Sequence, residues 1–217
     1  MKFTRVFTLI GALAFGLAVT HSYAGAGTGK SFKGPVGLQL YSLRGDFTAR
    51  GVPATLDKVA AYGIKNVELY STFNHKPAVF RKMLKKRGLT ATSSHFSFNR
   101  LRDDVKGVVA EAKALGIKYA GCAWAAHKGD WDMAETKEAA RVFNNVGKAL
   151  AKEGIMFFYH LHGFEFQPHK KETLADVLIR ECEKEYVSFQ MDVLWILFPG
   201  QDPAKLLRKY PDRWKLM

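Results

Sequence analysis

The stretches FFYHLHGFEFQ (157–167) and FQMDVLW (189–195) decide the fold that this sequence predicts. Each begins with apolar residues, as a buried strand does, and ends in side chains that can bind a metal ion or move a proton. Because side chains alternate along a strand, His160 and His162 share one face of the first stretch, and Asp192 ends the second. Together, the two stretches indicate a functional site at the ends of neighbouring strands. The alternative is a core histidine pair and a helix-capping aspartate.

A strand-then-helix unit repeats along the chain. Strands are predicted at 36–41, 66–70, 90–95, 118–123, 155–160 and 187–192. Helices are predicted at 52–62, 77–87, 101–115, 134–153 and 172–184. Four helices end at a glycine followed by Ile or Leu, and glycine readily takes the left-handed conformation that ends a helix. Such units predict parallel strands, in a (β/α) barrel or an open doubly wound sheet.

Polar residues near the ends of different strands favour the barrel. These residues are Gln39, Glu68, His95, His160 and Asp192. No glycine-rich turn of a nucleotide-binding type follows the first strand, which disfavours a doubly wound nucleotide-binding sheet. Functional groups from many strand ends are typical of the C-terminal face of a barrel. We therefore predict a (β/α)8 fold of the TIM-barrel type.

The bulk composition is that of one large globular domain. The chain has 217 residues, 47% of them hydrophobic, and a mean hydropathy of −0.14. Its formal charge is +13, but Lys and Arg are scattered along helical stretches such as RKMLKKRG (81–88), which predicts solvated helix faces and no nucleic-acid partner. Cys122 and Cys182 match no metal or redox spacing and are predicted to be buried free thiols. The oligomeric state cannot be read from these residues.

The N-terminus has the order of a secretory signal peptide. Two basic residues precede an apolar run at 6–19, and Ser22-Tyr23-Ala24 places small residues where signal peptidase reads them. A retained membrane anchor is the alternative. We predict a periplasmic or secreted protein that is free of the membrane after cleavage. The predicted division is a signal peptide at 1–24, a flexible spacer at 25–33 and a folded domain at 34–217.

Several stretches together carry a resemblance to one protein family. They are GLQLYSLR (37–44), VELY (67–70), SSHFSF (93–98), YHLHGFEFQP (159–168), and MDVLW (191–195) followed by PGQDPAKLLRKYP (199–211). Over residues 34–217 the chain resembles the sugar phosphate isomerase/epimerase family, whose fold is the xylose-isomerase-like TIM barrel. The resemblance implies a divalent metal (Mn, Mg, Zn or Co) at the barrel mouth. It also implies isomerisation or epimerisation of a small-molecule carbohydrate by proton transfer next to a carbonyl.

The resemblance also assigns residues. Asp192 matches the family's Asp ligand on strand six, and His160 stands where many members carry a first Glu ligand. His162 matches the second histidine of a Tyr-His-Asn-His motif, from which Leu161 departs. Glu165 matches the Glu of that motif and could supply the missing carboxylate. The expected metal ligands are Asp192 and His160, the expected catalytic residues are Glu165 and His160, and the expected substrate-binding residues are Gln39, Glu68, His95, Trp124 and His162.

Alternatives stay open for several of these residues. Either His160 or His162 could face the metal. Glu68 could bind a sugar hydroxyl or pair with a neighbouring Arg or Lys, and Trp124 could stack on a sugar ring or cap the core. Gln39 is predicted to form hydrogen bonds at the barrel mouth, because an amide cannot transfer a proton at neutral pH.

The predicted folded part is shorter than the family's usual barrel. A full barrel takes about 250 residues, so this chain is expected to hold about six to seven of the eight strands and to be C-terminally truncated. The remaining ligands of the family would lie in the absent part, and the metal is expected to be weakly bound or lost. The predicted function is a metal-dependent carbohydrate isomerase or epimerase. The alternatives are a non-catalytic or vestigial sugar-binding barrel and a 3-keto-glycoside lyase or hydrolase.

Overall fold

The computed structural model describes residues 34–217, so the predicted signal peptide and spacer lie outside the described residues. The strands are β1 Gly37–Gln39, β2 Asn66–Leu69, β3 Thr90–His95, β4 Tyr119–Cys122, β5 Met156–His160, β6 Pro168–His169, β7 Glu172–Thr173, β8 Val187–Gln190 and β9 Trp214–Leu216. The helices are α1 Arg44–Ala61, α2 Pro77–Lys85, α3 Phe98–Asp103, α4 Val105–Leu115, α5 Met133–Ala151, α6 Leu174–Glu181, α7 Val193–Leu197 and α8 Pro203–Lys209.

Seven parallel strands form one sheet in the order β1-β2-β3-β4-β5-β8-β9. Every neighbouring pair is parallel, and the sheet curls into a half-barrel with helices on its outer side. Strands β6 and β7 form a separate short antiparallel hairpin. The incomplete TIM-type barrel predicted from the sequence is confirmed. The carboxyl ends of all seven strands meet at the same edge of the sheet, where the predicted polar residues lie.

Glycine ends the four helices for which the sequence predicts it. Gly63, Gly88, Gly116 and Gly154 have φ between 70° and 75°, the left-handed region that L side chains disfavour. The next residue in each case is apolar and enters the following strand or its approach. These caps fix where each strand begins, and with it the register that brings the strand ends to one level.

The largest differences between predicted and observed helix bounds concern three helices. The helix predicted at 52–62 begins already at Arg44 and kinks at Gly51, where φ is 76°. The one predicted at 101–115 is split into α3 and α4 at Asp104, whose carboxylate accepts a hydrogen bond from the Gly107 N–H and caps α4. The one predicted at 172–184 starts two residues later, because Thr173 and Asp176 form a capping box.

Alternation along β5 separates the barrel interior from the helix layer. Phe157 and Tyr159 pack against Phe143 of α5, with ring centroids 5.0 and 4.7 Å apart. Phe158 and His160 point the opposite way, into the barrel. The period of two read from the sequence is therefore present, and it brings His160 to the inner face of the strand end.

The remaining general features agree with the composition. Cys122 and Cys182 are buried and free, as predicted. Among the helices at residues 34–217, none combines the length and the apolar character that crossing a bilayer requires.

Candidate active site

A cavity of about 980 Å³ opens at the carboxyl ends of the strands. Of the side chains predicted to form a site, every one except that of Glu165 lines it. The predicted residues found there are Gln39, Glu68, His95, Trp124, His160, His162 and Asp192. Parallel strands account for this gathering, since each contributes the residue at its carboxyl end to the same mouth.

Glu68 places a buried carboxylate at the floor of the cavity. It leaves β2 with 8% of its surface exposed. Its oxygens accept a hydrogen bond from Ser93 Oγ at 2.7 Å and from Gln190 Nε2 at 3.0 and 3.1 Å. Among residues 34–217, Glu68 forms no ion pair with Arg or Lys, the alternative that the sequence left open. Neutral donors on β3 and β8 hold this carboxylate instead.

His160 connects the floor to the rim. Its Nδ1 lies 2.7 Å from Gln190 Oε1, and its Nε2 lies 3.6 Å from Asp192 Oδ2. The ring of His95 is near, with centroids 5.8 Å apart, and His95 Nε2 lies 3.3 Å from Glu68 Oε1 without hydrogen-bond geometry. Burial lowers the pKa of His95, against the opposing influence of the Glu68 charge. His95 is therefore neutral at physiological pH.

His162 forms part of an aromatic wall beside this polar floor. Its ring centroid lies 4.7 Å from that of His160 and 5.4 Å from those of Trp124 and Trp195. Burial, together with the neighbouring His160, lowers the pKa of His162 to about 4, so this imidazole is also neutral. Trp124 is 54% exposed and therefore does not cap the core. It offers an open aromatic face to the cavity.

Asp192 has two roles in the structure that the sequence presented as alternatives. Its carboxylate accepts hydrogen bonds from the N–H groups of Leu194 and Trp195, at 2.9 and 3.2 Å, and so caps α7. The same side chain lines the cavity and approaches His160. The cap fixes the carboxylate at the cavity rim.

Glu165, which was expected to be catalytic, lies outside the cavity. Its side chain has no exposed surface and does not line the cavity. It accepts hydrogen bonds from the Tyr159 hydroxyl at 2.6 Å and from the His162 backbone N–H at 2.9 Å. Burial raises the pKa of Glu165 to about 7, although those two donors act to lower it. This carboxylate holds the turn after β5 from the helix side, through Tyr159 and the His162 N–H.

The described residues do not fit a resident metal ion. Within residues 34–217, no three or more His, Cys, Asp or Glu side chains are arranged to hold one. Asp192 and His160, the predicted ligands, supply two donors, whereas catalytic zinc sites use three protein ligands and structural sites four.

Sequence reasoning missed two residues of the polar floor, Gln190 and Ser93. Gln190 could have been found, because it shares a strand face with Asp192 two positions later. Ser93 precedes His95 by two positions on β3 and therefore also shares its face. Both bonds to Glu68 depend on which strands become neighbours or face each other across the barrel, and the sequence alone does not give this.

Comparisons with known proteins place the fold. No protein-family model matches the chain. No curated protein matches its sequence either. Solved structures do match, among them two sugar phosphate isomerase/epimerase structures from Parabacteroides distasonis. One is 22% identical with a TM-score of 0.71, over 83% of this chain and 75% of the other. The second is 26% identical with a TM-score of 0.70, over 83% and 77%.

The fold is that of the xylose-isomerase-like TIM barrels. A third similar structure is the D-allulose 3-epimerase of Methylomonas sp., crystallised in complex with D-allulose. It is 15% identical, with a TM-score of 0.64, and the match covers 82% of this chain and 69% of the other. At these identities the similarity shows the fold alone, and the chain resembles enzymes only in its fold.

Proposed function

We propose that the cavity binds a carbohydrate and that the protein isomerises or epimerises it by proton transfer next to a carbonyl. The observation that carries the proposal is the position of His160. One of its ring nitrogens is held by the polar floor, and the other faces the cavity beside the Asp192 carboxylate. A general base needs this combination of a fixed ring and an accessible nitrogen.

The proton transfer follows from this geometry. His160 Nε2 takes a proton from the carbon next to the carbonyl. The electron pair of the broken C–H bond forms a C=C bond, and the π pair of the carbonyl moves onto its oxygen to give an enediolate. Asp192 stabilises the imidazolium that forms, because opposite charges at this separation attract. Transfer of the hydroxyl proton to the enediolate oxygen and return of the proton from His160 to the neighbouring carbon give the isomer. Protonation of the original carbon on its other face by water gives the epimer, and the His160 imidazolium then returns its proton to the solvent.

Neutral neighbours suit the rest of the reaction. The lowered pKa values of His95 and His162 keep both imidazoles uncharged at physiological pH. A neutral imidazole can donate an N–H to the oxygen on which negative charge develops. It does so without placing a second positive charge beside the imidazolium of His160.

The outer wall suits a sugar. Trp124 and Trp195 offer flat apolar surfaces, and Gln39 and Asn99 offer hydrogen-bonding groups around the same cavity. A ring with apolar faces and hydroxyl edges needs this mixture of surfaces. The D-allulose complex of the Methylomonas epimerase supports a small carbohydrate as the ligand class.

Solvent exchange tests the proposal. The protein is incubated with D-allulose and a panel of other neutral ketoses in D₂O, and deuterium at the carbon next to the carbonyl is followed by NMR. We expect exchange, reduced by about 10²–10⁴-fold in His160→Gln, the usual contribution of a general base. Arms with EDTA and with added Mn²⁺ test the metal dependence that the resemblance implies. Exchange that His160→Gln leaves unchanged contradicts the assigned base.

A non-catalytic sugar-binding barrel is the second candidate. Two observations favour it. Among the described residues only two side chains, Asp192 and His160, are placed as the predicted metal donors, and the face of Trp124 is open to the cavity. The same sugars titrated against tryptophan fluorescence separate the two functions. Saturable quenching without deuterium exchange, with and without Mn²⁺, supports binding alone.

A further inference from the structure

A hydrogen-bonded chain crosses the barrel interior from Glu68 through Gln190 to His160. Glu68 lies on β2 and Gln190 on β8, 122 positions apart in the sequence. Two contacts join the Gln190 amide nitrogen to the carboxylate, and one joins its amide oxygen to His160 Nδ1 at 2.7 Å. Glu68 and His160 are buried, and Gln190 between them is partly buried.

The donor and acceptor chemistry of these groups leaves one arrangement. An ionised carboxylate only accepts, so the Gln190 side that faces Glu68 must be its NH₂ group. The oxygen of the amide then faces His160, and it too only accepts. The Asp192 carboxylate beside Nε2 also only accepts, but at 3.6 Å it lies beyond hydrogen-bond distance, whereas Gln190 Oε1 lies 2.7 Å from Nδ1. The hydrogen of a neutral His160 ring therefore sits on Nδ1, which leaves the lone pair on Nε2.

We infer that Glu68, acting through Gln190, fixes the tautomer of His160 so that its unprotonated Nε2 faces Asp192 and the cavity. A flipped Gln190 amide would place its oxygen against both carboxylate oxygens and lose the contacts at 3.0 and 3.1 Å. Glu68 and Gln190 are thus positioning residues. The tautomer holds whatever the reaction is; its use as a general base rests on the proposed function.

The tautomer decides whether His160 can accept a proton from a substrate. With the hydrogen on Nε2, the nitrogen that faces the cavity would be a donor, and the lone pair would be buried against Gln190. The orientation of hydrogen bonds behind a histidine commonly selects which nitrogen is available in this way. Here the charge that selects the tautomer is that of Glu68, which acts through Gln190 and lies on β2, a strand that is not a neighbour of β5.

Nitrogen NMR of the histidine rings tests the inference without any sugar. The chain is labelled with ¹⁵N-histidine and measured at about pH 8, where an ordinary imidazole is neutral. Comparison with His160→Gln assigns the His160 signals. We expect the wild-type ring as the Nδ1–H tautomer. In Glu68→Gln, the new amide can offer its own NH₂ to Gln190, which then flips, so the exclusive Nδ1–H signal should be lost and a mixture should appear.

Matched variants separate this effect from general damage to the floor. Ser93→Ala removes the other hydrogen bond to Glu68 but leaves Gln190 in place, and it should keep the wild-type tautomer. Gln190→Met removes the amide and should lose the single tautomer, which keeps the test informative if Glu68→Gln fails to fold. If exchange of a ketose is observed, Glu68→Gln should lower kcat more than it changes KM.

The following results overturn the inference. They are an Nε2–H tautomer in the wild-type protein, an unchanged Nδ1–H signal in folded Glu68→Gln or Gln190→Met, or an equal mixture in Ser93→Ala. Failure of the proposed function would appear differently, as the expected tautomers without deuterium exchange into any ketose.

Discussion

Replacing Glu165 by glutamine should change how the stability of the protein depends on pH. The carboxylate has no exposed surface, and burial raises its pKa from 4.5 to about 7. The shift is about 2.5 units, and at 1.36 kcal/mol per unit it corresponds to about 3 kcal/mol. Because the folded state holds the proton more tightly than the unfolded chain, stability is lost as pH rises from 4.5 through about 7.

Glutamine carries no charge at any pH, so the free energy of unfolding of Glu165→Gln should not decrease for this reason as pH rises. Its amide oxygen can still accept from the His162 N–H, and its NH₂ can donate to Tyr159, whose pKa is raised well above the usual value by burial and by Glu165. The free energy of unfolding of the variant minus that of the wild type should therefore increase by about 3 kcal/mol between pH 4.5 and pH 8.

The subtraction removes the contribution of His162. Its pKa falls from 6.5 to about 4 on folding, so its contribution to stability is present above about pH 6.5 and is lost as pH falls through about 4. This slope is opposite to that of Glu165 and is common to both proteins. The wild type should consequently show a weak pH dependence where the two effects overlap, and the variant should show that of His162 without compensation.

Urea unfolding followed by tryptophan fluorescence at several pH values between about 4.5 and 8 measures the difference. Glu185→Gln, a change on an exposed glutamate, controls for the altered net charge. A difference between Glu165→Gln and wild type that is constant with pH, or that shrinks as pH rises, would refute the reasoning about the buried carboxylate.

Three further predictions concern the core, the metal and the N-terminus. Gly121→Ala should destabilise the fold by about 1–3 kcal/mol, because the added Cβ would lie 2.5 Å from the Phe158 ring; urea unfolding checks this, and a neutral result would mean that the ring moves freely. Equilibrium dialysis with Mn²⁺ should detect only weak binding, because Asp192 and His160 supply just two donors among the described residues; micromolar affinity would contradict the assignment. We propose that the protein is exported and begins at Gly25, which N-terminal sequencing of periplasmic or secreted protein checks; an intact Met1 on cytosolic protein would oppose it.

The sequence by itself determined the repeat and the direction of its strands. Gly63 and Gly116 show why, since a glycine that ends a helix and an apolar run that follows it are both local signals, set by backbone sterics and by burial. Parallel strands then bring their carboxyl ends to one edge whatever their order in space. For this reason Glu68, His95 and Asp192 could be expected to line one cavity before the fold was known.

Tertiary structure alone decided how those residues act. The motif containing Glu165 does not reveal whether its carboxylate enters the cavity or turns back behind β5, because that choice depends on the burial of Tyr159 against α5. Likewise no local pattern joins Glu68 to Gln190, since their contact crosses the interior between strands that are far apart in the chain. Hydrogen-bond partners and pKa shifts depend on three-dimensional neighbours and on desolvation, and a linear sequence specifies these only through the completed packing.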